Sequence, residues 1–93
     1  MHSIEEITDI IITISSDYEI DEAYIFGSYA RGEADDLSDI DIAIKTSKLS
    51  ALQLSSLSYK IEHALGVRVD LISIDMMDDE FKLAICRESI QII

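Results

Sequence analysis

The spacing of hydrophobic positions changes along the chain, and each change marks an element. Ile4, Ile7, Ile11 and Ile14 recur three and four residues apart, which predicts a helix over about residues 4–17 with one apolar stripe. Ser3 and Glu6 have the spacing of a capping box, so the helix starts there. Ala23-Tyr24-Ile25-Phe26 is a short β-prone run stopped by Gly27. A polar stretch over 27–37 follows, with Ser28 suited to cap a short helix. From Asp39 to Ile44, acidic and aliphatic residues alternate with the period of two that belongs to a strand. Ile40, Ile42 and Ile44 then point into a core, and Asp39 and Asp41 point together to the other side. Helical spacing returns with Leu54, Leu57, Ile61 and Leu65 inside a helix over 49–65, which Gly66 ends. A third strand is predicted over 67–74, an acidic turn over 75–80, a short helix over 81–87 and a short edge strand over 89–93. The order predicts an α/β (α+β) domain spanning residues 1–93, with helices packed on one sheet.

Composition narrows this picture. The chain has 93 residues, enough for one modest core, and 48% of them are hydrophobic. Aromatics make up only 6% and there is no Trp, so Ile, Leu and Val must fill the core. Seven basic and nineteen acidic residues give a net charge of −12, which repels phosphate backbones and argues against direct nucleic-acid binding. The acid is concentrated early: Glu5, Glu6, Asp9, Asp17, Glu19, Asp21 and Glu22 precede the first basic residue, Arg31. That surface serves solubility or meets a basic partner. A single Cys, no apolar run long enough to span a bilayer and no signal-peptide layout at the N-terminus lead to the expectation of a cytoplasmic protein without membrane contact. Several residues are expected to be structural: His63 as an ordinary helical His, Cys86 as a small buried residue, and Met76 and Met77 as core filling. Tyr29 and Tyr59 carry no mark that sets them above other tyrosines.

Three acidic residues stand on predicted strands: Asp39, Asp41 and Asp70. Asp avoids strand interiors. Residues two apart on one strand face are about 6.6 Å apart, and at an effective dielectric near 20 two bare carboxylates there repel by roughly 2.5 kcal/mol. Either the strand edge is simply a polar outer face, or a cation offsets the charge. Mg²⁺ prefers oxygen ligands and binds through carboxylates plus substrate phosphates. Three carboxylates can hold two ions side by side. Just upstream, Phe26-Gly27-Ser28-Tyr29-Ala30-Arg31-Gly32 supplies a glycine for close backbone approach, a hydroxyl, helix N–H groups and a basic residue. Arg31 either neutralises phosphate or pairs with an acidic neighbour.

The run Gly27-Ser28, ten residues, then Asp39-Ile40-Asp41 resembles the signature of the DNA polymerase beta-like nucleotidyltransferase superfamily. The fuller string Gly-Ser-Tyr-Ala-Arg-Gly followed by Leu-Ser-Asp-Ile-Asp-Ile is similar to its minimal nucleotidyltransferases, the MNT group, many of them antitoxins paired with a HEPN-domain ribonuclease toxin. The resemblance runs from the first strand through Asp70. It implies a small mixed β-sheet flanked by helices. It also implies that Gly27 and Ser28 hold the β- and γ-phosphates, with Arg31 beside them, and that Asp39, Asp41 and Asp70 bind two Mg²⁺ ions. Asp70, the third carboxylate, would help deprotonate the incoming hydroxyl. The implied reaction is AMP transfer from ATP to a tyrosine of the HEPN partner. One departure is the C-terminal stretch Arg87-Glu88-Ser89, where relatives often carry an acidic residue followed by Gly. Two other functions compete: a non-catalytic binding module that neutralises its partner by occlusion, and a nucleotidyltransferase for a small cationic molecule. Homo- or hetero-oligomers are compatible with the edge strand and the acidic face.

Overall fold

A capping box opens the first helix, α1 (Ile4–Ser15): the Ser3 hydroxyl accepts from the Glu6 N–H at 3.1 Å, and the Glu6 carboxylate accepts from the Ser3 N–H at 3.2 Å. The computed structural model describes residues 2–93; the Cys86 side chain, and with it the expectation that it is buried, lies outside the described part. After α1 come β1 (Glu22–Phe26), α2 (Gly27–Arg31), β2 (Ile40–Lys45), α3 (Ala51–Leu65), β3 (Val69–Ser73), a 3₁₀ turn (Ile74–Met76), α4 (Asp79–Glu88) and β4 (Ile90–Gln91). The strands form one mixed sheet in the order β3-β2-β1-β4. β1 pairs antiparallel with both β2 and β4, and β2 pairs parallel with β3 through the α3 crossover.

The predicted element types all occur, and the differences lie at the ends. A second capping box, Ser50 with Gln53, starts α3 two residues later than expected. The Asp78 carboxylate accepts from the Phe81 N–H at 2.8 Å and starts α4 earlier. The third strand is shorter than its apolar run because the chain turns into the 3₁₀ segment at Ile74. Ser28 is not a cap: α2 begins at Gly27, Phe26 occupies the capping position, and Ser28 lies inside the helix.

The core lies on one face of the sheet. Ile7 and Ile11 of α1 and Leu57, Ile61 and Leu65 of α3 pack on Ala23, Ile25, Ile40, Ile42, Ile44 and Val69. The β2 isoleucines are fully buried there, as their alternation predicted. Tyr29 of α2 joins this cluster. Ile10 and Ile14 pack against it from the helix flank, and Ile12 is exposed. Met76 corrects the expectation of core filling: it is 87% exposed, because the 3₁₀ turn carries it off the end of the sheet. Among the described residues no helix is long and apolar enough to cross a membrane.

Candidate active site

The opposite face of the sheet carries the acidic residues. Asp41 is in register with Asp70 across the parallel β2–β3 pair and with Phe26 across the antiparallel β1–β2 pair. Register partners on adjacent strands share a face about 4.8 Å apart. The structure therefore brings together two carboxylates that lie 29 positions apart in sequence (70 − 41). Asp39 is corrected slightly: it stands one residue before β2 rather than on it, and it is exposed. A tight turn delivers it there. The Asp35 carboxylate accepts from the Leu37 N–H at 2.9 Å, and the Ser38 hydroxyl accepts from the Asp35 N–H at 2.9 Å.

Gly27 ends β1 and begins α2 with φ +70°. A Cβ there would collide with Asp41 Oδ2 and sit 3.1 Å from its Cγ. The absence of a side chain is thus required twice, by the left-handed backbone and by the carboxylate against it. The first turn of α2, which carries Ser28, leaves backbone N–H groups without helical partners beside that carboxylate. Gly27, Ser28, Arg31 and Asp41 line one cavity of about 400 Å³. Its far wall is α4: Phe81, Ala84, Ile85 and Glu88. Phe81 meets Phe26 edge-to-face, centroids 6.4 Å apart and planes at 86°.

Electrostatics at this site are strained toward a cation. Burial pushes the Asp41 carboxyl above the ordinary carboxylate range, the charges of Asp70 and Asp39 push it further, and Arg31 pulls the other way. Arg31 is half-exposed, and its Nε donates to Glu33 at 3.2 Å. Asp41 and Asp70 lie side by side, and with Asp39 they offer only hard oxygen donors, the set that suits Mg²⁺. As the side chains are oriented, no group of three His, Cys, Asp or Glu residues closes around a metal position among the described residues. The donor chemistry and the charge of these carboxylates fit such an ion, and Asp39 is the exposed member of the three.

Glu88 was read from the sequence only as part of the divergent stretch Arg87-Glu88-Ser89, not as a residue of the cavity wall. It follows Phe81, Ala84 and Ile85 at helical spacing, so the cavity-facing stripe of α4 was there to be read. Its acidic character hid it within a chain already rich in acid. Elsewhere, His63 is the ordinary exposed helical residue expected, stacked on Tyr59.

Known proteins share this architecture. The family model described as Polymerase beta, Nucleotidyltransferase matches residues 8–93. The chain is 31% identical over 97 residues to the protein adenylyltransferase MntA of Thermococcus cleftensis, covering 99% of this chain and 98% of that one. A Methanocaldococcus jannaschii protein named for the same activity is 36% identical over 92 residues, with 98% and 99% coverage. A solved minimal nucleotidyltransferase superposes with a TM-score of 0.83 at 27% identity, over 96% of this chain and 95% of that one. A toxin-antitoxin structure containing AMP-PNP gives a TM-score of 0.83 at 27% identity, over 92% and 72%. Matched over nearly its whole length by sequence and by fold, the chain belongs to the polymerase beta nucleotidyltransferase family, among its minimal members.

Proposed function

We propose that this nucleotidyltransferase moves AMP from ATP onto a tyrosine hydroxyl of a HEPN-type toxin and so acts as its antitoxin. The observation that carries the reading is the Asp41–Asp70 register pair, set beside a glycine whose backbone lies against the Asp41 carboxylate. Support for the nucleotide and the partner comes from relatives: one is named protein adenylyltransferase MntA, and another is a toxin-antitoxin pair with AMP-PNP.

Each residue has a definite part. Gly27 and Ser28 bind the β- and γ-phosphates through backbone N–H groups and the Ser28 hydroxyl, and Arg31 offsets phosphate charge. Asp39, Asp41 and Asp70 would hold two Mg²⁺ ions. Bound there, Mg²⁺ supplies positive charge against the phosphates and favours ionisation of the acceptor hydroxyl. The acceptor oxygen forms a bond to the α-phosphorus, the bond to the bridging oxygen breaks, and pyrophosphate leaves with that electron pair. Asp70 takes the hydroxyl proton. Residues 1–93 then constitute one minimal catalytic domain, at work in the cytoplasm, where a lone Cys stays reduced.

The test mixes the purified chain with a HEPN toxin, ATP and Mg²⁺, and follows intact mass and ribonuclease activity together. A gain of one or more AMP groups on the toxin, loss of ribonuclease activity, and suppression of both by a chelator are expected. Neutralisation with no mass change would replace catalysis by occlusion.

A further inference from the structure

A second cavity, larger than the one lined by Gly27 and Ser28, lies beside it. It has a volume of about 750 Å³ and runs along the outer edge of β3, between α3 on one side and the 3₁₀ turn and α4 on the other. Phe26 and Phe81 line both cavities, so the edge-to-face pair marks their junction. Asp41 faces the smaller cavity and Asp70 the larger. A nucleotide held by Gly27 and Ser28 therefore leaves the β3 side of the carboxylate pair open to the other reactant.

That side has a hydrogen-bonding edge. β3 is the terminal strand of the sheet. The Arg68 C=O accepts from the Ile40 N–H, so Arg68, Asp70 and Ile72 turn their backbone groups toward β2 and Val69, Leu71 and Ser73 turn theirs outward. The Val69 N–H donates to the Glu62 carboxylate at 2.9 Å, and its C=O accepts from the Ser58 hydroxyl at 3.5 Å. Among the described residues, the outward N–H and C=O of Leu71, next along, have no such side-chain partner. An edge of this kind accepts an extended chain.

The walls state what that chain must carry. Tyr59 and Met76 are exposed on opposite sides of the cleft, at 68% and 87%. Asp75, Asp78, Asp79 and Glu80, all exposed, surround the methionine end, on a chain of net charge −12. We propose that the β3 edge is the docking site for the acceptor protein: an extended, basic segment pairs with Leu71 as an added strand. The inference rests on the nucleotidyltransferase reading above. Side chains alternate between faces in such a strand. The residue opposite Asp70 projects on the carboxylate face, where its tyrosine hydroxyl meets Asp70. Its two neighbours project on the α3 face, toward Leu54 and Tyr59, and are apolar.

The test uses the full chain with Mg²⁺ and a non-hydrolysable ATP analogue, and a fluorescein-labelled peptide with a central Tyr, Leu on either side and Arg at both ends. Saturable binding by fluorescence anisotropy is expected. Replacing the peptide's Arg by Glu, or making Met76→Glu in the protein, weakens binding tenfold or more. N-methylation of the peptide backbone weakens it tenfold at alternate positions only, in the register that points to Leu71. Thermal melting of Met76→Glu, with its Mg²⁺–ATP shift intact, verifies that the variant is folded. The same samples supplied with ATP instead of the analogue are assayed for AMP on the peptide by mass. Binding without transfer upholds the docking edge and counts against the nucleotidyl-transfer reading. Transfer that ignores both N-methylation and Met76→Glu overturns the docking edge and leaves the catalytic reading standing. No binding of any peptide overturns the docking edge as well.

Discussion

Asp41 and Ile42 are neighbours on β2, yet they answer to opposite requirements. Ile42 points to the face covered by α1 and α3 and has no exposure. Asp41 points to the opposite face, beside the cavity lined by α2 and α4, and it shares that face with Asp70 and the nearby Asp39. One face gathers the aliphatic contacts that hold a small domain together. The other carries like charges that cost stability whenever no cation is bound. A chain of this size tolerates the second face because the first is closed: burying each isoleucine contributes about 1.5–3 kcal/mol, against a total stability of only about 5–15 kcal/mol.

The contrast can be broken by exchanging what each face does. The largest effect is expected from Asp41→Asn on transfer. Loss of the carboxylate removes charge stabilisation on the order of 10³-fold, about 4 kcal/mol of barrier, read as AMP incorporated into the toxin per minute. Transfer at the wild-type rate would detach this face from the chemistry. Next comes Ile42→Ala on the covered face. It should cost about 3 kcal/mol and lower Tm by roughly 15 °C, while any protein that remains folded still shows a Mg²⁺–ATP shift. An unchanged melting curve would contradict the burial of Ile42.

Gly27→Ala tests where the faces meet the nucleotide. The left-handed backbone alone costs about 1–2 kcal/mol, and the new methyl group displaces the Asp41 carboxylate. Both the melting temperature and the Mg²⁺–ATP shift should fall; retention of the full shift would mean that phosphate does not approach Gly27.

The smallest effect sharpens the comparison most. Without metal, Asp41→Asn should be more stable than wild type at neutral pH by about 1 kcal/mol, after allowance for solvent screening of half-open charges. The sign follows from the raised Asp41 pKa. Folding disfavours the charged carboxylate, so the wild-type penalty is complete above the folded pKa, shrinks as pH falls through it, and is gone below the unfolded value near 3.8. Melting curves of both proteins from pH 7 to pH 3 should therefore converge. A gap that widens toward acid would mean that Asp41 is held by a favourable partner instead.

Sequence and structure agree best where a local pattern decides the outcome. The α1 stripe, its capping box and the β2 alternation from Ile40 to Ile44 each involve residues within one or two turns or strand repeats of one another, and all are present. The string from Gly27 to Asp41 was legible for the same reason. Ser28 as a cap was a misreading, because the chain enters α2 directly from β1 at a positive-φ glycine and leaves the serine inside the first turn. Met76 was misread because a thioether before an acidic turn looks like filler until the 3₁₀ segment turns it outward. The place of Glu88 on the cavity wall was missed because it depends on α4 lying opposite α2, a contact between elements far apart in the chain.

By itself, then, the order of residues determined the elements, the apolar face of each, and a short list of carboxylates that no core would tolerate. Those follow from periodicity and from the cost of repeating like charge along a strand, both of which act over a few residues. The tertiary structure decided the partnerships: that β3 lies parallel to β2 in the register that sets Asp70 beside Asp41, that Gly27 backs onto the Asp41 carboxylate, and that β3 remains an open edge. Strand order and register arise from the packing of α1 and α3 on one sheet face, a balance of contacts between residues far apart in the chain. The physical forces are the same at both levels; only the assembled sheet brings distant residues within their reach.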